Sequence, residues 1–75
     1  MFKVLICDQE RKLYDDSAAQ VSLPGAEGEF AVLEHHAPII SLLRAGHILV
    51  DDKFLSIRKG IAMMNRNELL VVVER

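Results

Sequence analysis

Three histidines, His35, His36 and His47, with Glu34 beside the first two, are the residues of this chain best suited to hold a metal, because zinc and iron favour imidazole nitrogen with carboxylate oxygen. Their spacing works against it. Adjacent residues on an extended strand point to opposite faces, so His35 and His36 could share an ion only across a sharp kink, which Pro38 offers weakly. The expectation is therefore no metal, with His36 structural and His35 in solvent; the alternative left open is a small β-barrel enzyme with a metal at His36 and His47. Nucleophilic chemistry fares no better. No serine stands in a Gly-x-Ser-x-Gly turn, and the proximity of Ser41 to His36 along the chain is a weak signal. The carboxylate pairs Glu27/Glu29 and Asp51/Asp52 fall in expected turns, where acids are solvated and lack the desolvated partner that general acid–base work needs. Neither Gly-x-x-x-x-Gly-Lys nor Gly-x-Gly-x-x-Gly occurs, so there is no standard nucleotide cradle. The residues argue for a protein that is not an enzyme and carries no cofactor.

The elements that would position such residues are short strands. Turn chemistry recurs at Asp15-Asp16, Pro24-Gly25, Gly46, Asp51-Asp52, Gly60 and Asn65-Arg66-Asn67. Between the turns side chains alternate: Ala19, Val21 and Leu23 against Gln20 and Ser22, then Ile48 with Val50, then Leu55 with Ile57. Tight hairpins are expected at Asp51-Asp52 and at Asn65-Arg66-Asn67. Two segments, Val4-Leu5-Ile6-Cys7 and Leu69 to Val73, are apolar on both faces, so their second face is either covered by a loop or offered to a partner. Ile39, Ile40, Leu42 and Leu43 have helix-like spacing over too short a run to stand as a helix, which predicts a single turn or an irregular strand. The architecture that follows is all-β, a small two-sheet sandwich or flattened barrel of about eight to ten short strands.

A chain of 75 residues has room for one domain, here residues 1–75, and 51% apolar content suffices for a small core. A net charge of −2 without a run of like charge gives nothing to hold a phosphate backbone, and Phe2, Tyr14, Phe30 and Phe54 are too few to build a base-stacking surface. Nucleic acid is not an expected partner. Cys7, the single cysteine, cannot form an internal disulfide, which fits a reducing compartment. No apolar run approaches the ~20 residues of a membrane-spanning helix. Any link to a membrane is expected to come through partners.

The most informative stretch is Leu23 to Pro38. Pro24 fixes its own φ, while Gly25 and Gly28 can both take positive φ, so an acidic loop carrying Glu27 and Glu29 is pinned between two strands and the second strand ends on His36-Ala37-Pro38. The spacing Pro-Gly-x-x-Gly-Glu-x-x-Val-Leu-x-x-His-Ala-Pro resembles the signature of the epsilon subunit of F-type ATP synthases, the delta subunit of mitochondria. Strand one, Leu13-Tyr14 and Leu42-Leu43-Arg44-Ala45-Gly46 follow the family's order, so the resemblance spans nearly the whole chain.

This resemblance implies an N-terminal β-sandwich domain of the central stalk, an accessory subunit of a proton-translocating ATP synthase without an active site of its own. Its partners would be the gamma subunit and the ring of membrane-embedded, proton-carrying subunits, at the cytoplasmic face of a bacterial inner membrane. The turn with Glu27, Gly28, Glu29 and Phe30 would face the ring, with Glu29 the acid opposite basic ring loops. Pro24, Gly25, His36 and Pro38 would shape the turns, His36 as a hydrogen-bonding brace. Departures are present. The late hairpin reads Lys59-Gly60-Ile61-Ala62-Met63-Met64 where the family usually has a double glycine followed by an acid, Ala31 replaces a glycine, and Glu34 replaces a proline. The sequence stops at Glu74-Arg75, where most bacterial relatives continue into a two-helix hairpin; without it the expectation is coupling of rotation with no brake on hydrolysis. A paralogue that keeps the fold and binds another protein is the remaining alternative.

Overall fold

The computed structural model describes residues 1–75 as nine strands and no helix: β1 Phe2–Cys7, β2 Lys12–Ala18, β3 Gln20–Gly25, β4 Gly28–Leu33, β5 Ile39–Leu43, β6 Gly46–Val50, β7 Lys53–Ile57, β8 Lys59–Asn65 and β9 Glu68–Glu74. Hydrogen bonding runs in the order β2-β1-β9-β8-β5-β3-β6-β7, with β4 on the far edge of β3. The ladder is thinnest between β5 and β3, where Gly25 and Leu43 make the single bridge. That corner divides the molecule into a five-stranded half, β2-β1-β9-β8-β5, and a four-stranded half, β4-β3-β6-β7. The two halves close on one core as a sandwich, as the alternation predicts.

The core consists of the inward residue of each pleat. Phe2, Val4 and Ile6 of β1, Val21 and Leu23 of β3, Ile48 and Val50 of β6, Ala62 and Met64 of β8, and Leu69, Val71 and Val73 of β9 are all no more than 3% exposed. No polar or charged side chain is buried among them. β1 and β9 pair in parallel, Val4 opposite Leu69 and Ile6 opposite Val71, which brings the two segments that are apolar on both faces side by side.

Both expected hairpins form. Asp51 turns at φ 52°, and Arg66 and Asn67 turn at 52° and 61°, the left-handed values that two-residue hairpin loops require. The Asp51 carboxylate also accepts from the N–H of Ala19 at 3.0 Å and of Gln20 at 3.1 Å, tying the β6–β7 turn to the start of β3. Four expectations are corrected. Asp15 and Asp16 are not a turn but the middle of β2, an outer strand whose acids face solvent and discourage pairing with another chain. The turn lies earlier, where the Asp8 carboxylate accepts from the N–H of Glu10 at 2.8 Å and of Arg11 at 2.9 Å. Gly60 is not a turn but lies inside β8, where its glycine is required by crowding: a β-carbon would stand 2.7 Å from the carbonyl oxygen of Val72. Ala19 is an exposed bend between β2 and β3, and Ala18 takes the buried position instead. Lastly, Gly25 does not have a positive φ; among the glycines Gly28 alone does, at 137°.

Candidate functional site

Pleating gives the five-stranded half an outer face, and its cross-strand register can be followed residue by residue. One row runs Ile40, Met63, Leu70, Leu5 across β5, β8, β9 and β1. The next, two residues along each strand, runs Leu42, Ile61, Val72, Cys7. Both rows end on β2, where Leu5 stands opposite Asp15 and Cys7 opposite Lys12. Lys12 Nζ and Asp15 Oδ2 pair at 3.2 Å and close that end of the band. Flanking rows are polar: Asn65, Glu68 and Lys3 on one side, and Lys59 with Glu74 on the other. Glu74 holds Arg58 and Lys59, each at 3.3 Å.

The result is an apolar band with a charged rim. No loop covers it: Ile40 is 75% exposed and Leu42 66%, and Val72 lies open at the centre of the half. A contiguous patch of this kind, apolar in the middle and polar at its border, has the anatomy of a protein interface. Sequence reasoning found the second faces of β1 and β9 but missed Ile40, Leu42, Ile61 and Met63. Their signal was the period-two alternation of β5 and β8, hidden in β5 by Ile39 and Leu43, which are apolar and point inward.

The acidic turn lies at the β5 end of this band. Ala26 and Glu27 form the turn between β3 and β4, with Gly25 opposite Gly28 and Pro24 opposite Glu29. Pro24 and Gly25 are buried strand residues, and Glu27, Gly28 and Glu29 are exposed. Phe30 points inward opposite Leu23 and packs half-buried on the core. A cleft of about 410 Å³ lies between this turn and Ile40, Ser41 and Leu42 of β5. The ion pairs of the chain join Met1 to Glu34, Lys12 to Asp15, and Arg58 and Lys59 to Glu74, which leaves Glu27 and Glu29 without cationic partners.

The histidines are dispersed. The His36 ring Nδ1 donates to the Ala37 carbonyl at 2.7 Å and its main-chain N–H to Leu33 O at 3.1 Å, inside the β4–β5 connection. His35, at φ 61°, donates its N–H to Asn67 Oδ1 at 2.8 Å. His47 lies on β6, edge-on to Phe54 with ring centroids 6.0 Å apart. No three His, Cys, Asp or Glu side chains form a group that could hold one ion. Shifted acidities likewise have local structural causes. The N–H groups of Glu10 and Arg11 hold the Asp8 carboxyl below its usual range, the Met1 ammonium does the same for Glu34, and burial pushes the Tyr14 phenol up, helped by the charges of Asp16, Asp51 and Asp52.

Fold and site together define a small β-sandwich that presents an apolar sheet face beside an acidic turn, the surface of a binding module. Residues 1–75 match the family model described as ATP synthase, Delta/Epsilon chain, beta-sandwich domain, and the chain belongs to that family. It is 35% identical over 74 residues to the ATP synthase epsilon chain of Campylobacter concisus, covering 92% of this chain and 57% of that one. Against the epsilon chain of Caulobacter vibrioides it is 38% identical over 69 residues, covering 87% and 80%. It thus spans little more than half the length of the Campylobacter relative. The fold is shared with a chain of the Euglena gracilis mitochondrial ATP synthase (OSCP/F1/c-ring), at TM-score 0.86 and 20% identity over 96% of this chain and 49% of that one. A chain of the Tetrahymena thermophila mitochondrial ATP synthase (central stalk/c-ring) matches at TM-score 0.82 and 12% identity, over 97% and 63%.

Proposed function

We propose that this domain is a non-catalytic central-stalk module of a proton-translocating F-type ATP synthase, held at the membrane through its partners. The rimmed apolar band carries the reading. Its outward rows dock on the gamma subunit, and the turn with the exposed Glu27, Gly28 and Glu29 meets basic loops of the membrane ring, while Phe30, expected there from the resemblance, packs inward and braces the turn. A rigid sandwich between the two transmits torque without making or breaking a bond. In a bacterium this position is the cytoplasmic face of the inner membrane.

Co-purification with the cognate gamma subunit tests the reading. Met63→Glu places a carboxylate in the middle of the band, at a half-exposed position where the fold tolerates it. It is expected to weaken association on the order of tenfold or more while leaving the melting temperature near that of the parent. ATP hydrolysis by the purified chain alone, or a folded parent that does not bind gamma, would overturn the assignment.

A further inference from the structure

An open strand edge is ready to pair with another chain, and folded proteins blunt such edges with charge. The outer strands β2, β7 and β4 follow this rule, carrying Lys12, Asp15 and Asp16, then Lys53, then Glu29. β5 does not; it reads Ile-Ile-Ser-Leu-Leu. Its one long ladder is to β8, and it meets β3 at the Gly25–Leu43 bridge alone. At that bridge the Arg44 N–H donates to Pro24 O at 2.9 Å and the Ala26 N–H to Leu42 O at 2.8 Å, so the even-numbered residues here turn their main-chain groups toward β3. Two residues upstream, Ile40 turns its N–H and C=O the same way, to a side where β3 has already left. The β8 ladder is on the other side, and no turn or loop hydrogen bond engages either group.

We propose that this edge takes an extended segment of a partner protein as a sixth strand of the five-stranded half, with a basic side chain of that segment directed at Glu27 and Glu29. The inference rests on the reading of the β3–β4 turn as a partner contact, and adds how the partner's backbone is held. Three observations converge on it. Ile40 offers one donor and one acceptor, the pair that a strand addition consumes. The cleft beside the edge is bounded by the unpaired acids Glu27 and Glu29 on one side and by Ile40 and Leu42 on the other, so it suits a segment with basic and apolar residues. An added strand would also extend the Ile40 row of the outer face by one position, in continuity with the gamma-facing band.

Ile40→Pro removes the outward N–H while leaving the β5–β8 ladder intact, and proline is tolerated at a strand edge. Ile40→Val keeps the N–H and most of the apolar surface. In complexes reassembled from the parent or variant chain with its cognate gamma subunit and ring, Ile40→Pro is expected to weaken association about tenfold, with Ile40→Val within about twofold of the parent. Residue-resolved hydrogen exchange of the parent should show the Ile40 amide slowing by about tenfold or more on assembly. Equal association of the two variants, or an Ile40 amide that exchanges as fast in the complex as in the free chain, overturns strand addition and leaves the stalk reading standing. Should Ile40→Pro not fold, the exchange measurement on the parent decides. A parent chain that fails to assemble overturns the stalk reading and this inference with it.

Discussion

A β-carbon placed on Gly25 would stand 2.8 Å from Cε1 of Phe30 and 2.6 Å from the carbonyl oxygen of Gly28. Gly25 is therefore fixed by crowding, with the Phe30 ring and the facing backbone occupying the space a side chain would need. Gly28, three residues on, is fixed by the opposite circumstance: nothing lies within 4 Å of its missing β-carbon, yet its φ of 137° is one that side-chain-bearing residues rarely adopt.

Gly25→Ala and Gly28→Val should both destabilise the domain, by different routes. Displacing Phe30 and the β4 backbone is expected to cost about 2 kcal/mol, and the strained φ at Gly28 about 1 kcal/mol or more. Thermal unfolding reads these losses as several degrees each, at roughly 4–8 °C per kcal/mol for a domain of this size. A Gly25→Ala protein melting with the parent would show that the ring moves aside freely.

Glu29→Lys is expected to leave the fold intact, within about 0.5 kcal/mol, because the side chain is exposed and unpaired. Under the proposed ring contact coupling should suffer, since a cation would then oppose basic loops. Proton pumping in reconstituted vesicles is the readout, and unimpaired pumping with the lysine variant removes Glu29 from that interface.

Stability should fall in acid, and the direction can be assigned. The carboxyls of Asp8 and Glu34 both titrate below their usual range in the folded chain. Each therefore contributes stability above its unfolded value, lost as pH drops through the lower folded one. Asp8→Asn removes the charge and keeps an acceptor for the N–H groups of Glu10 and Arg11, so its stability should decline less steeply below about pH 4 than that of the parent. Denaturant melts across that range measure the difference; parallel curves would mean that Asp8 contributes nothing through ionisation.

The sequence made legible what local chemistry controls. Asp51 and the Asn65–Asn67 segment read as hairpin turns because aspartate and asparagine tolerate left-handed backbone, and both turns form. The outward rows were harder to see. Leu5 and Leu70 are far apart along the chain, and only the parallel register of β1 on β9 reveals that they are neighbours. Asp15 and Asp16 misled because acids are common both in turns and on exposed strands. Gly25 misled because crowding by a residue five positions later leaves no local mark. The acidic turn was visible in Pro24 to Glu29, whereas its relation to Ile40 depends on how sharply the sheet bends at the Gly25–Leu43 corner.

The parallel pairing of β1 with β9 bears on how the protein is made. β1 takes its place between β2 and β9, so Val4 and Ile6 remain without their cover of Leu69 and Val71 until β9, more than 60 residues later, has been translated. Long-range pairing of this kind is slow to nucleate and keeps apolar strand surface open in the meantime. A nascent chain halted at the Arg66–Asn67 turn would lack the central strand of its larger half, which leaves the apolar faces of β1 and β8 without their shared neighbour through that interval of synthesis.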